Sequence, residues 1–237
     1  MKQKVLTSMK IIPLGDRAVT VRLGDEISSD VHRKVRAFTR GLAIEKWPGV
    51  EEWVPSFAAV TLYYEPLQTN FQTLKERILE EIEKIVYEEE REPRLLHIPV
   101  LYGGESGPDL QEVAAFHHLE VEDVIRLHTE PEYVVYMIGF APGFPYIGGL
   151  SKQLYTPRKE TPNLHIPAGS VAIGGQQTGV YPIQSPGGWH VIGRTPWDLF
   201  HLKHQPPSLL HAGDKIKFVA VDERQFEEER GSTTWQC

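Results

Sequence analysis

The sequence is poor in cysteine, in clustered positive charge and in long apolar runs, and each shortage excludes something. Its single cysteine is Cys237, the last residue, so no internal disulfide can form. Such cysteine usage favours a cytoplasmic address. The formal charge of −7 and the lack of any Lys/Arg cluster argue against nucleic acid as a partner, which needs a basic face or stripe. No apolar stretch is long enough to cross a bilayer, so no membrane role is expected. The opening "MKQKVLTSMK" is charged but leads into no apolar core of a signal peptide.

Catalytic signatures are equally scarce. There is no G-x-x-x-x-G-K-[ST], no H-E-x-x-H and no G-x-S-x-G. The paired glycines of "GGESG" and "GGQQTG" read as turn glycines rather than phosphate cradles. His201 and His204 in "HLKH" are placed to share a helical face, with His211 beyond them. No carboxylate or Cys pattern accompanies them, so no metal is expected there. Ser170 in "PAGSVAIGG" reads as a strand serine bonded to backbone. Ser185 in "QSPGGW" sits in a Ser-Pro turn beside a Trp, a candidate pocket rim.

What is present changes character midway. In residues 1–95 the order is about ββαββαβ, a small α+β domain of two helices on an antiparallel sheet. "AVTVRL" alternates with period two, and Val31, Val35, Phe38 and Leu42 keep a helical interval after "SSD", which offers N-cap residues. "VEEWV" and "AAVTLYY" are two strands, Asn70 can cap a helix that buries Leu74, Ile78, Ile82 and Ile85, and "LLHIPV" returns to strand. The acidic run "YEEEREPR" reads as a solvated helix end.

Residues 96–237 open with two short helices, the first capped by Asp109 and the second ending near His128. The strand "EYVVYMIGF" follows, and from there to Pro196 the chain is dense in Gly and Pro, with short strands between turn signals. That pattern predicts an all-β barrel or closed sandwich. Within it "IGFAPGFPYIGGL" holds no Ser, His, Asp, Lys or Cys, and six of its thirteen residues are Gly or Pro. "TPRKETPN", "IPAGSV", "GQQTGVYP" and "SPGGWHVIGRTP" share this rigidity. Loops ordered in advance lose little entropy on binding. They could gather Phe144, Tyr146, Tyr181, Trp189, Arg158 and Arg194 around a small anionic or amide ligand, arginine suiting a carboxylate through its planar fork. Equally, these segments could be barrel corners with aromatics filling the core; spacing leaves both open.

The segments "GPDLQEVA", "LHTEPEYVVYMIGFAPGFPYIGGL", "PAGSVAIGG", "TGVYPIQSPGGWHVIGRTP" and "LLHAGDKIKFV" strongly resemble the allophanate hydrolase subunit 1 family, and within it the KipI type, also known as the B-type 5-oxoprolinase subunits. "LGDRAVTVRLGDEI" and "PGVEEWVPSFAAVTLYYEP" extend the resemblance over nearly the whole chain. It implies a cyclophilin-like β-barrel after the smaller domain. It also implies one component of an ATP-dependent 5-oxoprolinase, which opens the lactam of 5-oxo-L-proline to give L-glutamate. The alternative it implies is inhibition of the autophosphorylation of a sporulation histidine kinase, and a ligand-binding module without catalysis is a third reading. With no phosphate clamp or carboxylate pair in the sequence, ATP and its Mg²⁺ would be held mainly by C-type and A-type 5-oxoprolinase partners. Phe140, Pro142, Gly143, Phe144, Tyr146, Arg158, Gln177, Thr178, Tyr181, Ser185, Gly187, Trp189 and Arg194 are then the substrate-binding candidates. Asn163 stands where relatives often carry Arg, and His190 is expected to be an exposed barrel residue. Oligomeric state, a homodimer included, is left open.

Overall fold

In the computed structural model, residues 9–25, 28–84 and 93–230 are described. Ile85, most of the acidic run and Cys237 lie outside them. The chain divides into two compact units, Met1–Arg91 and Glu92–Cys237.

The first unit is a four-stranded antiparallel sheet of β1 (Lys10–Leu14), β2 (Ala18–Arg22), β3 (Val50–Pro55) and β4 (Ala59–Tyr64), in the order β1-β2-β4-β3. Two helices, α1 (Ser29–Ile44) and α2 (Phe71–Lys84), complete it. The Ser28 side chain accepts the Val31 N–H at 3.3 Å, and Asn70 Oδ1 accepts the Thr73 N–H at 3.0 Å. Each cap satisfies a first-turn donor that has no partner within its helix. Strand alternation then sends Val19, Val21, Val60 and Leu62 against Val35, Phe38, Leu42, Leu74 and Ile78 in one core.

The second unit is a closed barrel. Its staves are β5 (Leu95–Tyr102), β6 (Tyr133–Ile138), β7 (Pro145–Gly148), β9 (Ser170–Gly174), β10 (Gln177–Val180), β12 (His190–Arg194) and β13 (Lys215–Ala220), closing in the order β10-β7-β6-β13-β5-β12-β9. Two short strands, β8 (Asn163–Ile166) and β11 (Ser185–Gly187), pair outside the barrel as a separate ribbon. Helices α3 (Leu110–Phe116) and α4 (Val121–Thr129) precede β6, and α5 (Glu223–Glu229) follows β13 behind a capping box between Asp222 and Gln225. The fold class expected from the sequence, an α+β unit followed by a closed all-β barrel, is therefore the one observed.

"LLHIPV" is corrected in its allegiance. It forms β5 and pairs in parallel with β13, from Leu95↔Lys215 to Val100↔Ala220, so it is a barrel stave and not the last strand of the first domain. A parallel partner more than a hundred residues away leaves no local mark in the sequence. Asp109 is corrected too: its side chain makes no cap hydrogen bond to α3. The "HLKH" segment is turn rather than helix, and the His201 and His204 rings meet edge to face at 4.8 Å.

Alternation gives the barrel two faces. Ile98, Val100, Val135, Ile147, Val171, Ile173, Val180, Ile192, Ile216 and Phe218 point inward and form the main core. One polar chain is buried with them. Thr178 Oγ1 donates to the Ala172 carbonyl at 3.1 Å and accepts from His128 Nε2 at 2.8 Å, while Tyr102 Oη meets His128 Nδ1 at 2.7 Å. A carbonyl can only accept, so the chain runs one way. The Tyr102 hydroxyl donates to Nδ1, and His128 is the neutral Nε2–H tautomer. Burial pushes its pKa down to about 3.

Candidate functional site

On the outer face of the same wall, small residues leave room for large ones. Ala172, Gly174, Gly179 and Val191 face outward from β9, β10 and β12 by strand alternation, and a second cluster of Phe144, Ile166, Tyr181, Trp189 and Val191 is built on Ala172. Phe144 is its hub, with ring centroids 5.5 Å from Phe140, 5.1 Å from Tyr146, 5.3 Å from Tyr181 and 5.7 Å from Trp189, all edge to face. Such edge contacts match the ring quadrupoles. Trp189 lies across Gly174 and Gly179, where an added Cβ would meet its ring at 2.5 Å and 3.0 Å. Gly187, in the β8–β11 ribbon, packs so close to Tyr181 Oη that any side chain there would collide with it. These glycines let the backbone approach the rings.

The "IGFAPGFPYIGGL" segment is the turn from β6 into β7 and delivers three of these rings. Gly143 takes a left-handed φ of +78° against Phe200. Phe140 takes φ +69°, unusual for a side chain of this size, and is 68% exposed while Phe144 is 2% exposed. Pro142 is exposed at the turn. Trp189, like Phe144, is buried, so the solvent-facing apolar element of this site is Phe140.

Polar groups border the cluster. The Arg158 guanidinium lies over the Trp189 ring, 6.0 Å from its centroid. Among the described residues no hydrogen bond or ion pair engages it. Burial pushes the Tyr181 phenol up to about 12, against the charge of Arg158, which pulls it the other way. Gln177 Nε2 and Ser185 Oγ are buried without a hydrogen-bond partner among the described residues. An unpaired guanidinium at the rim of an aromatic cluster can hold a small planar anion.

The sequence candidates thus separate. Phe140, Phe144, Tyr146, Arg158, Tyr181, Gly187 and Trp189 come together. Gln177 shares the outward face of β10 with Gly179, whereas Thr178, between them, points into the barrel and is spent on His128 and Ala172. Arg194 donates from Nε to the Ala168 carbonyl at 3.0 Å, one of its five N–H donors. His190 is corrected: it is 6% exposed, with Nε2 2.9 Å from the Pro157 carbonyl. Sequence reasoning also passed over Lys159, whose Nζ lies 2.5 Å from Asp109 Oδ1 and 3.5 Å from Glu112. Partners 50 residues apart give no local signal; the one available hint was a second cation directly after Arg158. Among the described residues no three His, Cys, Asp or Glu side chains converge as a metal site.

A small α+β unit followed by a closed barrel is the architecture of a known class. The chain belongs to the family described as "Carboxyltransferase domain, subdomain C and D", which matches residues 9–210. A curated relative, the B-type 5-oxoprolinase subunit of Bacillus subtilis (strain 168), is 45% identical over 227 residues, covering 92% of this chain and 95% of its own. The crystal structure of TTHA0988 superposes with a TM-score of 0.77 at 34% identity over 87% of this chain, which spans 40% of that protein. The urea amidolyase of K. lactis shares the fold, with a TM-score of 0.79 at 18% identity over 94% of this chain and 15% of its own.

Proposed function

We propose that this chain is the B-type component of a cytoplasmic, ATP-dependent 5-oxoprolinase, working with C-type and A-type partners to convert 5-oxo-L-proline to L-glutamate. The observation that carries the reading is Arg158, a guanidinium with no hydrogen-bonded partner among the described residues, at the rim of a buried aromatic cluster. The kinship to B-type 5-oxoprolinase subunits supplies the substrate class.

The chemistry assigns this chain a positioning part. Opening the lactam breaks its C–N bond and adds water across it, and a resonance-stabilised amide resists this without activation. ATP, when bound, supplies that activation. The sequence holds no phosphate loop and the described residues no converging set of metal ligands, so the phosphates and Mg²⁺ are assigned to the partners. Here Arg158 pairs with the substrate carboxylate through two parallel N–H···O bonds. Phe140 and the half-buried Tyr146 give the ring an apolar wall, with Phe144, Tyr181 and Trp189 buried behind them.

Reconstitution with the two partners tests this. Glutamate formation should vanish when the chain is omitted, and Arg158→Ala should raise KM for 5-oxoproline by about 10- to 100-fold, the worth of a charge-assisted hydrogen bond. Full turnover without the chain would overturn the assignment.

A further inference from the structure

We infer that Asp109, Lys159 and His190 form a clip that positions Arg158, an inference that rests on the substrate-binding part just proposed for that arginine. Arg158 sits in an exposed loop, and a free loop would hold its guanidinium in many places. The structure fixes the residues on both sides of it. On one side the Pro157 carbonyl receives His190 Nε2 at 2.9 Å. On the other, the Lys159 backbone N–H donates to the Gly188 carbonyl at 2.8 Å, and Lys159 Nζ reaches Asp109 Oδ1 at 2.5 Å and Glu112 at 3.5 Å.

The clip is anchored to the barrel as well as to α3. Asp109 Oδ2 accepts the Val191 N–H at 2.7 Å, and the Asp109 N–H donates to the Val191 carbonyl at 2.9 Å. Asp109 therefore bridges Lys159 to β12, the strand entered directly from Trp189. The arginine's loop is thus tied through one carboxylate to the strand that begins directly after the ring beneath it. This also accounts for an aspartate that precedes α3 without capping it.

His190 completes the clip in a defined tautomer. A carbonyl accepts only, so Nε2 carries the proton, and Nδ1 is buried without a hydrogen-bond partner among the described residues, 3.7 Å from Glu112. Glutamine at this position can donate the same bond from its side-chain amide; leucine cannot. The clip's hydrogen bonds go to the backbone of Pro157, Gly188 and Val191, so its members act through Arg158.

The experiment is a double-mutant cycle in the reconstituted three-component enzyme, with 5-oxoproline as the varied substrate. Lys159→Met should raise KM about tenfold with kcat changed less than twofold, and Lys159→Arg should restore it. His190→Leu should behave like Lys159→Met, and His190→Gln like the unmodified protein. Combined with Arg158→Ala, Lys159→Met should add less than twofold, because the group it positions is gone. Additive effects, or a loss in kcat alone, would overturn the clip while leaving Arg158 as the substrate contact. An Arg158→Ala enzyme with normal KM would instead overturn the substrate-binding part, and the clip with it. If Lys159→Met assembles poorly, Asp109→Asn is the second variant. It keeps the bond to Val191 N–H, loses the charge facing Lys159, and should give the same rise in KM.

Discussion

Trp189 rests on Gly174 and Gly179, and this contact sets what the outer wall tolerates. An alanine at 174 would place its Cβ 2.5 Å from three atoms of the indole, a separation real structures do not show, so the ring must move. Overpacking of this kind costs about 1–3 kcal/mol, and here the displaced ring is also the surface over which Arg158 lies. Gly174→Ala should therefore lower the thermal midpoint and raise KM for 5-oxoproline together. A variant with unchanged stability and unchanged KM would show that the ring does not rest on that glycine. The case differs from Gly175, where an added Cβ would meet nothing within 4 Å. There the constraint is the backbone itself, at φ +65°.

At the scale of elements, α4 ties the barrel interior together through His128. The imidazole sits with Tyr102 on one side and Thr178 on the other, stacks on Phe218 at 4.5 Å, and its backbone carbonyl accepts the Tyr133 hydroxyl. Its folded pKa of about 3 lies below the ordinary histidine value near 6.5. Between those values the unfolded chain binds the extra proton and the folded one does not, so stability falls as pH falls. The loss is on the order of 3 kcal/mol from pH 6.5 to 4. In His128→Gln the pH 7 stability should drop, since the amide fills the site less well, but the decline from pH 6.5 to 4.5 should flatten. An equally steep decline would show that the charge being taken up lies elsewhere.

The elements also show how far the sequence could be read. Helix α1 was legible to its cap, because Ser28 and the run Val31, Val35, Phe38, Leu42 are local signals. The barrel was legible as a class, from short strands between Gly and Pro turns. Period-two alternation in β9 and β10 says that Thr178 and Gly179 face opposite ways. It does not say which face is roofed, and here both are: one by α4 and the barrel core, the other by the β6–β7 turn and the β8–β11 ribbon. That is why sequence reasoning gathered Thr178 with the ring residues and took His190 for exposed. The roles of Arg158 and Arg194 were equally undetermined, since only the fold shows which guanidinium donates to a carbonyl.

At the scale of the whole molecule, the barrel is closed by strands that enter and leave it far apart in sequence. Arg94, just before β5, donates from Nε to Asp214 Oδ1 at 3.0 Å and from Nη2 to Oδ2 at 2.5 Å, and Asp214 stands just before β13. The same guanidinium reaches the Leu209 carbonyl, and Asp214 Oδ2 accepts the His211 N–H at 2.7 Å. One buried carboxylate thereby sets the parallel register of β5 and β13 at its first pair. Burial alone would raise the Asp214 carboxyl, but His211 and Arg94 outweigh it and hold it below the usual aspartate range. A depressed carboxyl contributes its stability above the unfolded value near 4 and loses it as pH falls through the folded one. Acid should therefore open the barrel in two stages: His128 weakens it from about pH 6.5 downward, and Asp214 is lost only below about pH 4. Asp214→Asn should cost on the order of 1–3 kcal/mol at pH 7, the lower end applying because Arg94 is half exposed. It should also abolish the second stage while leaving the first intact. Hydrogen exchange of the β5 and β13 amides against pH would read this directly. Protection that falls in a single step in the unmodified chain, or in the same two steps in Asp214→Asn, would remove the carboxylate from the account of how the barrel is closed.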